Sequence, residues 1–146
     1  MMAITQAMCT SFKEDLFQKE QDLDTDQIYI ALYLSSATLN ATTTAYTATG
    51  EVLDSAAGYA RPGIRLLNPV IGTANGSTTG GTAYVDFDNP EWTNATFTTA
   101  GALIYNKTVY DADNTKGSIA VLNFGGDFTV TAGTFRIVFP TPGAAG

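Results

Sequence analysis

The chain has 146 residues, a mass of 15.4 kDa and a formal net charge of −7. This length suits one domain, 1–146, that buries about two-thirds of the surface its unfolded chain would expose. Only seven residues are Lys or Arg and they are scattered, so the chain lacks the basic field of a nucleic-acid-binding surface. It has no His, which removes the usual general base and the commonest imidazole metal ligand. We therefore expect no enzymatic activity, no cofactor and no nucleic-acid partner.

A stripe of apolar residues near the N-terminus recurs at every fourth position. It consists of Ile4, Met8, Phe12 and Leu16, and this spacing predicts an amphipathic helix over residues 3–19. The helix either packs over one end of a β core or docks on a partner subunit. Cys9, the sole cysteine, lies within the stripe and is expected to be a buried, inert thiol. No apolar run approaches the length of a membrane span, and no signal peptide is recognised, so no membrane partner is expected.

From residue 27 onward, apolar and polar residues alternate in short segments. In residues 27–34, Ile28, Ile30 and Leu32 share one face, which predicts a strand with that face buried. In residues 81–88, Ala83, Val85 and Phe87 form the apolar face. Further strands are predicted at residues 93–98, 102–106, 118–124, 128–130 and 134–139. Turn residues separate them, including 125–126 and 131–133. Residues 108–116 are predicted to form a polar loop.

Many short strands at regular spacing predict a mainly β fold, an antiparallel β-sandwich or jelly-roll-like domain over residues 27–140. The Gly/Ala-rich residues 141–146 are expected to be a flexible tail. Asn75 and Gly76 give a type I′ turn signal that pairs the segments on either side as a hairpin. Residues 35–50 contain many Thr and only Leu39 and Tyr46 as large apolar groups. They are either an extended strand or a long excursion, and loops of that length are often functional.

Acidic residues suggest metal sites only weakly. Asp22, Asp24 and Asp26 resemble the start of a calcium-binding EF loop, but Gln27 and Tyr33 stand where that loop needs Gly and Glu. We therefore expect no calcium site there, and a polar turn explains Asp111, Asp113 and Asn114.

Two further candidates, one for a catalytic acid pair and one for a sugar-binding residue, have simpler explanations. Asp86 and Asp88 fit a solvated strand face better than a catalytic acid pair. Trp92, the sole Trp, fits the core or rim of the domain, with stacking on a sugar as the alternative.

Several stretches together resemble a family of small virion proteins of tailed bacteriophages. They are ITQAMCTSFKEDLF, IYIALYLSSATLNATTTAYTATGEV, TAYVDFDNPEWTNATFTTAGALIYN and AVLNFGGDFTVTAGTFRIVFP. The resemblance covers roughly residues 3–52 and 82–140 in the same order. It implies a non-enzymatic structural protein of a phage virion, made in the host cytoplasm, and it brings no binding residues.

The resemblance leaves the position on the particle open. We expect a capsid decoration or cement protein that assembles as a homo-oligomer, with a trimer as the first choice, and contacts the major capsid protein. The alternatives are a tail, neck or baseplate adaptor, or a carbohydrate- or receptor-binding module that uses Trp92 and Tyr residues. The residues predicted for a subunit interface are Met8, Phe12, Leu16, Leu39 and Tyr46.

Overall fold

The computed structural model describes residues 3–74 and 81–142 of the chain. These residues form seven strands and two helices, which confirms the mainly β prediction. The elements are β1 (Ala7–Met8), α1 (Thr10–Gln18), β2 (Ile28–Tyr33), β3 (Ile64–Arg65), β4 (Val70–Ala74), β5 (Thr82–Asp86), β6 (Glu91–Asn106), α2 (Lys107–Ala112) and β7 (Ser118–Arg136). Within this described part, neither helix is long and apolar enough to cross a bilayer.

The strands form two separate antiparallel sheets. The larger has five strands in the order β1-β7-β6-β2-β3, and the smaller consists of β4 and β5 alone. Neither sheet is closed, and the predicted sandwich or jelly-roll arrangement is not confirmed.

Strand β2 lies inside the larger sheet, and the prediction that only one of its faces is buried is wrong. Ile30 pairs with Ile104 of β6 on one side and with Ile64 of β3 on the other. Five of its six residues are buried, on both faces. The Tyr33 hydroxyl donates to the Thr47 carbonyl at 2.6 Å, so residues from the 35–50 segment cover the second face.

The 35–50 segment is an excursion that packs on its own sheet. Leu39 is buried and forms a parallel bridge with Ile4, and Ala45 forms an antiparallel bridge with Gly117. A monomer therefore gains stability by ordering this segment, because Leu39 joins the hydrophobic core.

The N-terminal helix is shorter than the predicted range 3–19. Residues 3–8 are not helical: the Thr5 amide donates to the Leu39 carbonyl, and Ala7 pairs with Val121 of β7. Helix α1 begins only at Thr10, so Ile4 and Met8 do not share a helix face with Phe12. Pairing with Leu39 and with β7 gives residues 3–8 backbone partners that outweigh the helical pattern.

Several predicted turns are irregularities within long strands. Strand β6 continues from residue 91 to 106, and β7 continues through residues 125–126 and 131–133. The register between β6 and β7 shifts at several points, and Gly125 and Ala132 have positive φ angles of 82° and 46°. Such bulges absorb extra residues without ending a strand.

Two loop predictions have different outcomes. The predicted polar loop contains α2, which the Asn106 side chain caps by accepting a hydrogen bond from the Val109 amide. The pairing of β4 with β5 is confirmed, with Ala74 opposite Thr82. The predicted turn at Asn75 and Gly76, and residues 143–146 of the predicted tail, lie outside the described residues.

Candidate interaction surface

The five residues predicted for a subunit interface lie in different environments. Phe12 and Leu39 are buried in the chain's own core. Tyr46 is half-buried, with its ring stacked on that of Tyr105 at 5.0 Å between centroids. Met8 and Leu16 are exposed, at 52% and 47% of their surface. Three of the five therefore serve the monomer's own packing, and a subunit contact through Met8 and Leu16 stays a prediction.

A buried carboxylate, Glu51, lies at the centre of a polar network. Its Oε2 accepts from the Tyr46 hydroxyl at 2.5 Å and its Oε1 from the Tyr59 hydroxyl at 2.6 Å. The Arg61 Nε lies 3.5 Å from Oε2. Burial raises the pKa of the Glu51 carboxyl above its ordinary value, against the lowering effect of both hydroxyls and of Arg61.

The Glu51 network, composed of Glu51, Tyr46, Tyr59 and Arg61, fixes an irregular segment to the sheet. The Tyr59 hydroxyl accepts from the Leu32 amide at 2.9 Å. Arg61 donates to the carbonyls of Val52 and Glu51. Burial, followed by the hydrogen bond to Glu51, raises the pKa values of Tyr46 and Tyr59. Since every member is paired within the chain, the network acts as a structural tie.

Sequence reasoning missed this network. Tyr46, Tyr59 and Arg61 stand 5, 8 and 10 residues from Glu51. That spacing matches neither a helix nor a strand face, so no periodic signal marks it.

Trp92 belongs to the core, as its primary interpretation predicted. Its surface is only 3% exposed, and its ring neighbours those of Tyr59 and Phe135 at centroid distances of 6.5 and 5.8 Å. A sugar-stacking platform needs an exposed ring face, so the alternative built on Trp92 has no support from its position.

The acidic residues make turn contacts. The Asp22 carboxyl accepts from the hydroxyl and amide of Thr25 and from the amide of Asp24, and these bonds lower its pKa. Hydrogen bonds from Thr115 lower the pKa of Asp113 in the same way. In residues 3–74 and 81–142, no group of three or more metal-ligating side chains is placed to hold a metal ion.

The hairpin formed by β4 and β5 has an exposed apolar face. Cross-strand register places Ile71 opposite Val85 and Thr73 opposite Ala83 on one side of the ribbon. All four side chains are exposed, with Ile71 at 57% and Val85 at 36%. We call these four residues the Ile71 face. The prediction that Ala83 and Val85 face the core is wrong, and only Phe87, just after β5, packs there.

The opposite side of the hairpin is better covered and carries a charge. The Tyr84 ring lies over Gly72, where a Cβ would be 2.7 Å from the Tyr84 hydroxyl oxygen. Asp86 is on this side and is half-buried. The Ile71 face is therefore the bare, uncharged side of a ribbon that forms no hydrogen-bonded sheet with the larger one, and it is the candidate interaction surface.

A scan against protein-family models, a search of curated proteins and a search of solved structures each found no match to the chain. The resemblance to phage virion proteins therefore stays a prediction from the sequence.

Proposed function

We propose that the protein is a non-enzymatic structural component of a phage virion, and that it decorates or cements the capsid. The observation that carries this proposal is the Ile71 face. Ile71 and Val85 remain exposed although the chain buries Ile28, Ile30 and Leu32 fully elsewhere. An exposed face of adjacent apolar residues is a candidate surface for contact with another molecule.

The character of the remaining surface supports assembly through neutral contacts. The hydroxyls of Thr98 and Thr129, on neighbouring strands β6 and β7, lie 2.8 Å apart on an exposed face. Charged residues make up only 14% of the chain. Removing charges from water is the costly step in burying polar surface, and contacts made through such surfaces remove few charges from water.

The proposed partners are further copies of this chain and the major capsid protein. A trimer remains our first choice by analogy with decoration proteins, and Met8 and Leu16 are available to a neighbour because they are exposed. The sandwich or jelly-roll arrangement that the spacing of the short strands predicts remains part of this proposal. A tail, neck or baseplate adaptor is the alternative, since the same exposed face would serve there.

Copy number in purified particles tests the proposal. Quantitative mass spectrometry would measure this chain relative to the major capsid protein, with a known tail protein from the same particles as the reference. We expect a ratio set by the capsid's subunit number. A ratio equal to that of the tail protein supports the adaptor, and absence of the chain from particles overturns both.

A further inference from the structure

We propose that the Ile71 face is covered by the Ile71 face of a second copy, with the two hairpins packed face to face about a two-fold axis. This inference deepens the proposed function by naming the partner of the candidate surface. It rests on that function only for its role in a particle, because the contact itself is a property of the chain.

The first argument is the hairpin's incomplete packing. Strands β4 and β5 hydrogen-bond to each other and to no strand of the larger sheet. A two-stranded ribbon in water is marginal, and packing of one face against another layer stabilises it. A second hairpin supplies that layer, with side chains of the two inner faces interdigitating as in packed sheets.

The second argument is charge. Each copy carries a net charge of −7, so two copies repel each other, and this repulsion is smallest when the surfaces in contact carry no ionised groups. The Ile71 face has none, and the only charged residue in the two strands, Asp86, is on the opposite side. A cationic partner would find no acid on this face, whereas a second copy meets no like charge there.

The third argument is self-complementarity. A two-fold contact uses the same patch on both subunits. A two-fold axis that lies between the two faces and runs parallel to the strands brings Ile71 and Val85 of one hairpin against those of the other, with Thr73 and Ala83 alongside. The face is small compared with a standard interface, so we expect an association that appears at high protein concentration.

Sedimentation velocity over a range of concentrations tests this with the full chain. We expect the weight-average mass to rise with concentration through this contact, from monomer toward dimer or, where the proposed trimer has formed through other residues, from trimer toward a pair of trimers. The double variant Ile71→Thr and Val85→Thr keeps β-branched side chains in both strands, and it should raise the dissociation constant by about tenfold or more. The matched control is Val70→Thr, because Val70 is 54% exposed but lies on the opposite side of the ribbon; it should leave the constant unchanged.

Disulfide trapping gives a second measurement that does not depend on the double variant folding. Under mild oxidation, Ile71→Cys should form a covalent dimer faster than Val70→Cys. The unsubstituted chain is the background, because its own Cys9 is buried.

A chain that stays monomeric at the highest attainable concentration overturns the inference. Equal weakening by Val70→Thr, or a concentration-dependent association that the double variant leaves intact, does so too. These outcomes are separable from the proposed function. A monomer present at capsid stoichiometry in particles refutes the two-fold contact alone, and a dimer absent from particles refutes the virion role alone.

Discussion

The larger sheet and the β4–β5 hairpin are built from similar residues but have opposite environments. Leu103 in β6 is fully buried, whereas Ile71 in β4 is mostly exposed. Ala83 and Val85 of β5 stand at the same alternate spacing as Leu103 and Tyr105 of β6, so the pattern alone does not decide burial. What decides it is whether another part of the chain reaches the face.

In the larger sheet, irregular segments supply that cover. Strand β2 has β6 and β3 as neighbours, and Val52 donates from its amide to the Leu32 carbonyl. The Glu51 network then fixes the covering segment. The hairpin has no such segment among the described residues, so its exposed face is available for assembly while the larger sheet provides stability.

The largest contrast is expected between Leu103→Ala and Ile71→Ala. Leu103 is enclosed by the core, so its truncation should lower the free energy of unfolding by about 2–5 kcal/mol. Ile71→Ala removes little buried surface in a monomer and should change it by no more than about 0.5 kcal/mol. Denaturant unfolding at low protein concentration measures both. A large loss for Ile71→Ala under these conditions would show that the hairpin packs on its own chain.

The next effect concerns the Glu51 network. Tyr59→Phe leaves the Leu32 amide and the Glu51 Oε1 each without its hydroxyl partner, so we expect a loss of about 1–3 kcal/mol in the free energy of unfolding. Thr98→Val is the control, because it also removes a hydroxyl, but one that makes a single exposed hydrogen bond where Tyr59 makes two buried ones. Equal small losses for the two variants would mean that the network contributes no more than a surface contact.

These cases show what the sequence could predict. Period-2 apolarity identified β2, β5 and much of β6 and β7, because strand formation leaves a local signal. The interpretation of Trp92 as a core or rim residue had a different basis, since a single aromatic ring is a poor sugar platform, and it agrees with the burial of Trp92. The helical spacing of apolar residues gave a wrong prediction at residues 3–8, because pairing with Leu39 and Val121 holds them in an extended conformation. The glycine pair at 125–126 and residues 131–133 also suggested turns, at positions where β7 only bulges.

The candidate surface was beyond sequence reasoning for a different reason. Ala83 and Val85 alternate like core residues, and nothing local reports that no segment covers them. Glu51 shows the reverse case, since an acid in an irregular segment gave no sign of being buried. Both depend on contacts between residues distant in the chain, which periodicity does not encode.

A smaller effect is expected from the titration of Glu51. The unfolded chain releases this proton near the ordinary pKa of 4.5, whereas burial raises the pKa in the folded state. At pH values between the unfolded and the folded pKa, Glu51 is protonated in the folded chain and ionised in the unfolded chain. Its favourable contribution to stability is therefore fully present below pH 4.5. It falls as pH rises through the folded pKa, by at most about 1.4 kcal/mol per pH unit.

The measurement is the difference in unfolding free energy between the natural chain and Glu51→Gln from pH 4 upward. This difference should shrink with rising pH and then become constant, because Gln does not titrate. A difference that grows with pH would show that the two tyrosine hydroxyls and Arg61 outweigh burial.

The smallest energy is expected for local opening of the hairpin. Its backbone hydrogen bonds join only β4 and β5, and its Ile71 face is solvated. Native-state hydrogen exchange of dilute protein should therefore give the β4 and β5 amides opening free energies near the lowest in the chain, while those of β2 and β6 approach the free energy of global unfolding.

Raising the protein concentration should slow exchange in the hairpin and leave β2 unchanged, because a second copy covers only the Ile71 face. Ile71→Thr with Val85→Thr should abolish this concentration dependence, and Val70→Thr should preserve it. Hairpin amides as protected as those of β2 in the dilute monomer would remove the contrast between the two regions.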